Sequence, residues 1–77
     1  MKVLVFAPPS YVPEGLDDKG YLEVPDGATV GYILRLMKMP KPIARFMLVS
    51  VNGALATSAT KLGEGDTVGF FRGLGGG

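Results

Sequence analysis

Apolar and polar positions alternate along most of this chain, and the period changes along its length. Lys2 to Ala7 is a short run rich in Val, Leu and Phe that stops at Pro8-Pro9. It is too short for a helix and predicts a strand. Its alternation sets Val3 and Val5 toward a core and Leu4 and Phe6 toward the other side. Pro8 to Asp18 holds three prolines, one glycine and two further acids besides Glu14, and reads as a loop. Gly20 to Val24 places Leu22 and Val24 on one side, with Tyr21 and Glu23 between them. That is a second strand, ended by Pro25-Asp26-Gly27. The two strands predict a hairpin with a long connection.

The period then lengthens. Val30, Ile33, Leu34 and Met37 fall at i, i+3, i+4 and i+7, the apolar stripe of a helix. Thr29 is placed to cap it, and Pro40 and Pro42 end it. Gly31 weakens its first turn by about 1 kcal/mol relative to Ala. Arg45 to Asn52 is a strongly apolar strand, and Asn52-Gly53 is a strong hairpin-turn signal. Ala54 to Thr57 is the short partner strand. Leu62 stands alone among polar residues as a plug under a loop, and Gly63-Glu64-Gly65-Asp66 makes another turn. Thr67 to Phe71 is a last strand, with Val68 and Phe70 inward and Phe71 outward. The order reads ββαββ with a small last strand. It predicts an α+β domain over residues 1–71, with a mixed sheet and one principal helix on one sheet face. Residues 72–77 are expected to be a flexible glycine-rich tail, because ordering glycines costs entropy that little burial repays.

Composition narrows the chemistry. The chain has 77 residues, enough for one small domain. It has no cysteine and no histidine, so it lacks disulfides, thiolate metal sites and the commonest acid/base group near neutral pH. No metal site and no catalytic residue of its own is expected. Eight Lys+Arg against seven Asp+Glu leave a net charge of +1, unlike the basic stripe of a nucleic-acid binder. There is no signal-peptide pattern and no apolar run near the ~18 residues of a membrane span, so a cytoplasmic protein without membrane or nucleic-acid partners is expected. The glycines near the end do not read as a phosphate loop, which needs a strand before it and a helix after it.

Together these residues resemble a known family. Val3-Leu4-Val5-Phe6-Ala7, Val24 to Val30, Val51-Asn52-Gly53, Leu62 with Gly65-Asp66, and Gly76-Gly77 stand in the order of the ubiquitin-like β-grasp sulfur carriers. That superfamily holds the small subunit of molybdopterin synthase and the sulfur carrier of the thiamine pathway. Two features point to different branches. The 11-residue connection Pro8–Asp18 is similar to the molybdopterin type, while the glycine-rich Arg72-Gly73-Leu74-Gly75 is similar to the thiamine type.

The resemblance implies a carrier that is the substrate of an E1-like adenylating enzyme. That enzyme would use ATP to activate the carboxylate of Gly77, and a persulfide sulfur donor would convert it to a thiocarboxylate. A sulfur-accepting synthase large subunit would then receive the sulfur, and no cofactor would be bound. Glycine is well suited to such a terminus, since without Cβ, Gly75 and Gly76 let a partner's backbone approach closely. Six extended residues reach roughly 20 Å, enough to thread a narrow channel. By position, Phe6, Leu55 and Phe71 match the family's partner-binding residues, with Lys2, Arg45 and Arg72 as candidate charges at the rim. Molybdenum or tungsten pterin biosynthesis is the favoured pathway. The thiamine thiazole carrier, a ubiquitin-like protein modifier and a plain β-grasp binding module stand as alternatives. The apolar candidates have a bland reading too, as ordinary core, which exposure decides.

Overall fold

A computed structural model describes residues 1–72. Seven elements follow one another: β1 (Lys2–Phe6), β2 (Tyr21–Glu23), α1 (Val30–Met37), α2 (Lys41–Ala44), β3 (Met47–Val51), β4 (Ala54–Ala56) and β5 (Thr67–Arg72). The strands form one sheet in the order β2-β1-β5-β3-β4. β1 and β5 are parallel, with Leu4 opposite Thr67, Val5 opposite Val68 and Phe6 opposite Gly69. The other three pairings are antiparallel. This mixed sheet with one principal helix is the ubiquitin-like β-grasp that the family resemblance implies.

Alternation sorts the sheet into two faces. Val3, Val5, Leu22, Val49, Val68 and Phe70 are buried on one face, where they form a core with Val30, Ile33 and Met37 of α1 and with Leu62. Leu34 of the predicted stripe is half-buried against this core. Leu62 plugs the loop as expected and donates its N–H to the Ala28 carbonyl at 2.9 Å. The Asn52-Gly53 turn closes the β3–β4 hairpin with φ of +52° and +85°, the double left-handed conformation that an Asn-Gly pair tolerates. The long β1–β2 connection is held by its own turns and by the buried Pro13. The Glu14 N–H also bonds to the Leu36 carbonyl at 3.2 Å.

Four local expectations change. The Thr29 side chain makes no cap bond, although Thr29 occupies the N-cap position. The free N–H groups of Val30 and Gly31 instead reach the carbonyls of Thr60 (3.0 Å) and Ser58 (2.9 Å). This contact explains Gly31: a Cβ there would lie 3.1 Å from the Ser58 carbonyl oxygen. Pro40 and Pro42 end α1, but they also start α2, because proline is tolerated in a helix's first turn where its missing N–H has no partner to lose. Strand β3 consequently begins at Met47, not Arg45. Finally, the last strand is not small. It is the longest, with six residues, and its pairing of Arg72 with Met47 carries it one residue past Phe71. The expected tail otherwise lies outside the described residues.

Asp66 fixes the start of β5. Its carboxylate accepts from the Asn52 side-chain amide at 2.9 Å and from the Gly63 N–H at 2.7 Å, while the Asn52 carbonyl oxygen accepts the Thr67 N–H at 2.9 Å. The Asn52 amide first, and then the Gly63 N–H, hold the Asp66 pKa below the ordinary carboxylate value.

Two outcomes follow for stability. Ile33→Ala, at a fully buried position, should cost about 2–5 kcal/mol in urea unfolding. Because the folded state lowers its pKa, Asp66 stabilises the fold above its unfolded pKa of about 3.9, and this contribution disappears as pH falls through the lower folded value. Asp66→Asn weakens two hydrogen bonds at a largely solvent-screened site and should cost no more than about 1 kcal/mol near neutral pH. It should also show a smaller loss of stability than the wild type on acidification to about pH 2.

Candidate functional site

The face of the sheet away from α1 carries the outward half of each alternation. Leu4, Phe6, Tyr21, Leu48, Ser50, Leu55, Thr67, Gly69 and Phe71 stand on it by register. The three aromatic and aliphatic candidates read from the sequence are all exposed: Phe6 at 60%, Leu55 at 74% and Phe71 at 44%. None belongs to the core, so the bland reading does not hold for them. The register brings them onto one surface. Phe6 lies opposite Gly69, Gly69 opposite Ser50, and Ser50 opposite Leu55, which makes a single row across four strands. Phe71 stands one outward position further along β5.

The same register adds Leu48, which is paired with Phe71 and 43% exposed. Leu48 was legible in principle. In a strand whose Val49 and Val51 face inward, Leu48 and Ser50 on either side of Val49 must face outward. Phe46, in the turn before β3, is also exposed, at 61%. Its signal was weaker, because a residue outside the regular strand has no alternation to assign it.

The candidate charges separate. Lys2 is on this face, opposite Glu23, with its ammonium 5.6 Å from the centre of the Tyr21 ring. It marks a polar corner of the sheet. Arg45 is exposed in the turn before β3. Arg72 ends β5 and lines a cleft of about 370 Å³ between the end of the sheet and the Pro8–Tyr11 stretch, with Phe6 and Phe71 on its walls. The groups whose pKa is shifted stand outside the apolar patch. Besides Asp66, these are the Met1 ammonium and Glu23, which pair at 2.8 Å, and Asp17, whose carboxylate accepts the Tyr21 and Lys19 N–H groups.

No cluster of three His, Cys, Asp or Glu side chains able to hold a metal occurs among the described residues. Among them, too, no helix is long and apolar enough to cross a membrane. What the arrangement offers is a largely uncharged apolar surface beside the point where the chain leaves β5. Gly75, Gly76 and Gly77 lie beyond the described residues.

The model of the ThiS family matches residues 3–77. Among solved structures, the crystal structure of SAMP1 from Haloferax volcanii is similar with a TM-score of 0.59 at 23% identity, over 100% of this chain and 98% of that one. At that identity the likeness is one of fold. A search of curated proteins gives no match.

Exposure sets the expected behaviour of the patch in thermal unfolding. Phe6→Ala and Leu55→Ala should change stability by no more than about 0.5 kcal/mol, as surface positions do. A loss of about 3–5 kcal/mol at either position would mean a buried side chain instead.

Proposed function

Since the chain belongs to the ThiS family of small ubiquitin-like sulfur carriers, we propose that it carries sulfur on Gly77 as a thiocarboxylate made by an E1-like adenylating enzyme. The observation that supports this most is that the family match runs through the glycine tail to Gly77.

The chemistry is dictated by the terminus. A carboxylate with a pKa of about 3.3–3.7 is an anion in the cell and a poor electrophile. Attack of its oxygen on the α-phosphorus of ATP expels pyrophosphate and gives an acyl adenylate. The terminal sulfur of a donor persulfide then attacks the carbonyl carbon and AMP leaves, giving an acyl disulfide. A thiol reductant attacks the donor-side sulfur of that bond, forms a disulfide with the donor and releases the thiocarboxylate. The carrier supplies the reacting carboxylate, the slender glycine approach and the docking face. The enzyme supplies the catalytic groups. Phe6, Leu55 and Phe71 are the docking residues in this reading, with Leu48 beside them. Phe71 stands one residue before the last described position, so an enzyme that grips the patch is also placed to thread the tail.

We assign the sulfur to a molybdenum or tungsten pterin precursor, delivered through a synthase large subunit. The long connection between β1 and β2, Ala7 to Gly20, favours this assignment. The thiazole of thiamine is the alternative acceptor, and attachment to protein lysines is a further use of the same activated terminus. Transfer of labelled sulfur separates the first two acceptors, and an isopeptide-linked remnant of the carrier on protein lysines would mark the third use.

Incubated with ATP, its E1-like enzyme, a persulfide donor and a thiol reductant, the protein should gain the mass difference of one sulfur for one oxygen in intact-mass analysis. Deleting Gly77, or adding a residue after it, should slow this at least about a hundredfold, since a misplacement near 1 Å at the reacting carbonyl has that effect. The melting temperature should not move. A permanently blocked Gly77 carboxyl with full biological activity would overturn the proposal.

A further inference from the structure

The outward row Phe6, Gly69, Ser50, Leu55 has large side chains at its ends and almost none in its middle. Gly69 is the third residue of β5, the central strand of the sheet. A glycine in a strand interior has no side chain to pack and gives up much chain entropy. Its backbone does not require glycine, for it is not among the residues with positive φ. Space does not require it either. A Cβ built there would meet the Ser50 Oγ at 3.1 Å and, apart from its chain neighbours, nothing else among the described residues within 4 Å. A hydroxyl can turn aside. What Gly69 leaves is an open depression on an exposed face, and a strand glycine of this kind often marks the close approach of another molecule.

We propose that Gly69 and Ser50 floor a socket for one bulky neutral side chain, the size of Leu or Phe, presented by the adenylating enzyme. This rests on the carrier reading above. Phe6 and Leu55 wall the socket at its ends, and Phe71 and Leu48 along one side. The end walls stand three strand spacings apart at the backbone, roughly 14 Å, which after their own bulk leaves room for one such group. The charge pattern selects a neutral occupant. No charged side chain stands on this row or on the Phe71–Leu48 pair, so a charged group seated here would be desolvated without a counterion. A large apolar group instead displaces water from four exposed apolar side chains at once, which is how the central anchor of an interface acts. Gly69 is thus a specificity determinant: a side chain at this position closes the socket while leaving the sheet intact.

The test uses the full chain with its native C-terminus. Amide shifts of the ¹⁵N-labelled protein are followed on titration with N-acetylphenylalaninamide, and separately with N-acetyllysinamide. Shifts centred on Gly69 and Ser50 with the first probe only are expected, and they should vanish in Gly69→Leu and in Ser50→Leu. The second variant fills the socket from a position that already bears a Cβ, so it carries the test if the first fails to fold. Equal shifts with both probes, or shifts unaffected by either variant, overturn the socket. In ATP–pyrophosphate exchange with the E1-like enzyme, both variants should raise KM for the carrier at least tenfold with kcat unchanged. Wild-type kinetics in both variants, while Phe71→Ala is impaired, would overturn the socket and leave the carrier reading standing. Absence of exchange by the wild type itself would count against the carrier reading, and the amide shifts would still decide the socket.

Discussion

The parallel pairing of β1 with β5 is the contact on which the rest of this structure depends. It joins the second to sixth residues of the chain to the sixty-seventh to seventy-second, and it is made of three facing pairs, Leu4 with Thr67, Val5 with Val68 and Phe6 with Gly69. Antiparallel strands can be joined by a tight turn, but a parallel pair needs a crossover, and here the crossover is nearly the whole protein. Every other element fits within that constraint. β2 folds back on β1, the β3–β4 hairpin lies on the far side of β5, and α1 covers the face on which Val5 and Val68 meet. Because β1 and β5 run the same way, Phe6 and Phe71 finish at the same end of the sheet. The cleft bordered by Arg72 and the Pro8–Tyr11 stretch opens there.

The sheet's two faces meet opposite demands, and one alternation serves both. Inward residues must reach near-complete burial, because a domain of this size buries only about 60% of its unfolded surface and has little core to lose. Outward residues are free of that demand, yet in this chain they remain apolar where polar side chains would serve solubility better. The conflict is sharpest on the row across β1, β5, β3 and β4 that carries Phe6 and Leu55, with Phe71 and Leu48 beside it. At the opposite end, the same face is polar, with Lys2 opposite Glu23 and its ammonium over the Tyr21 ring.

Much of this was legible in the residues. The inward and outward halves of β1 and β5 follow from period two alone, and the α1 stripe from period 3.6. The Asn52-Gly53 turn follows from its tolerance of positive φ. The failures share a cause. Thr29 has the right chemistry for a cap, but the loop carrying Ser58 and Thr60 reaches the helix N-terminus first, and no local pattern announces a contact across thirty residues. Likewise Pro40 and Pro42 mark a boundary without saying that a helix begins on its other side. Alternation sets Phe6 and Phe71 outward, but whether they and Leu55 serve as ordinary core is decided only by their exposure in the folded sheet. The opening at Gly69 is invisible without it, since only the pairing with Ser50 and Phe6 shows what surrounds the missing side chain.

The central place of the last strand also bears on how the cell would treat an unfinished copy. β1 and β3 each pair with β5 and not with one another. A product of interrupted translation that stops before Thr67 therefore holds two unconnected hairpins, and an isolated two-stranded hairpin is marginally stable at best in water. Such a fragment has an open edge and no closed core, which makes it a ready target for proteases. In this topology only a polypeptide that includes Thr67–Arg72 can join the two hairpins into one five-stranded sheet.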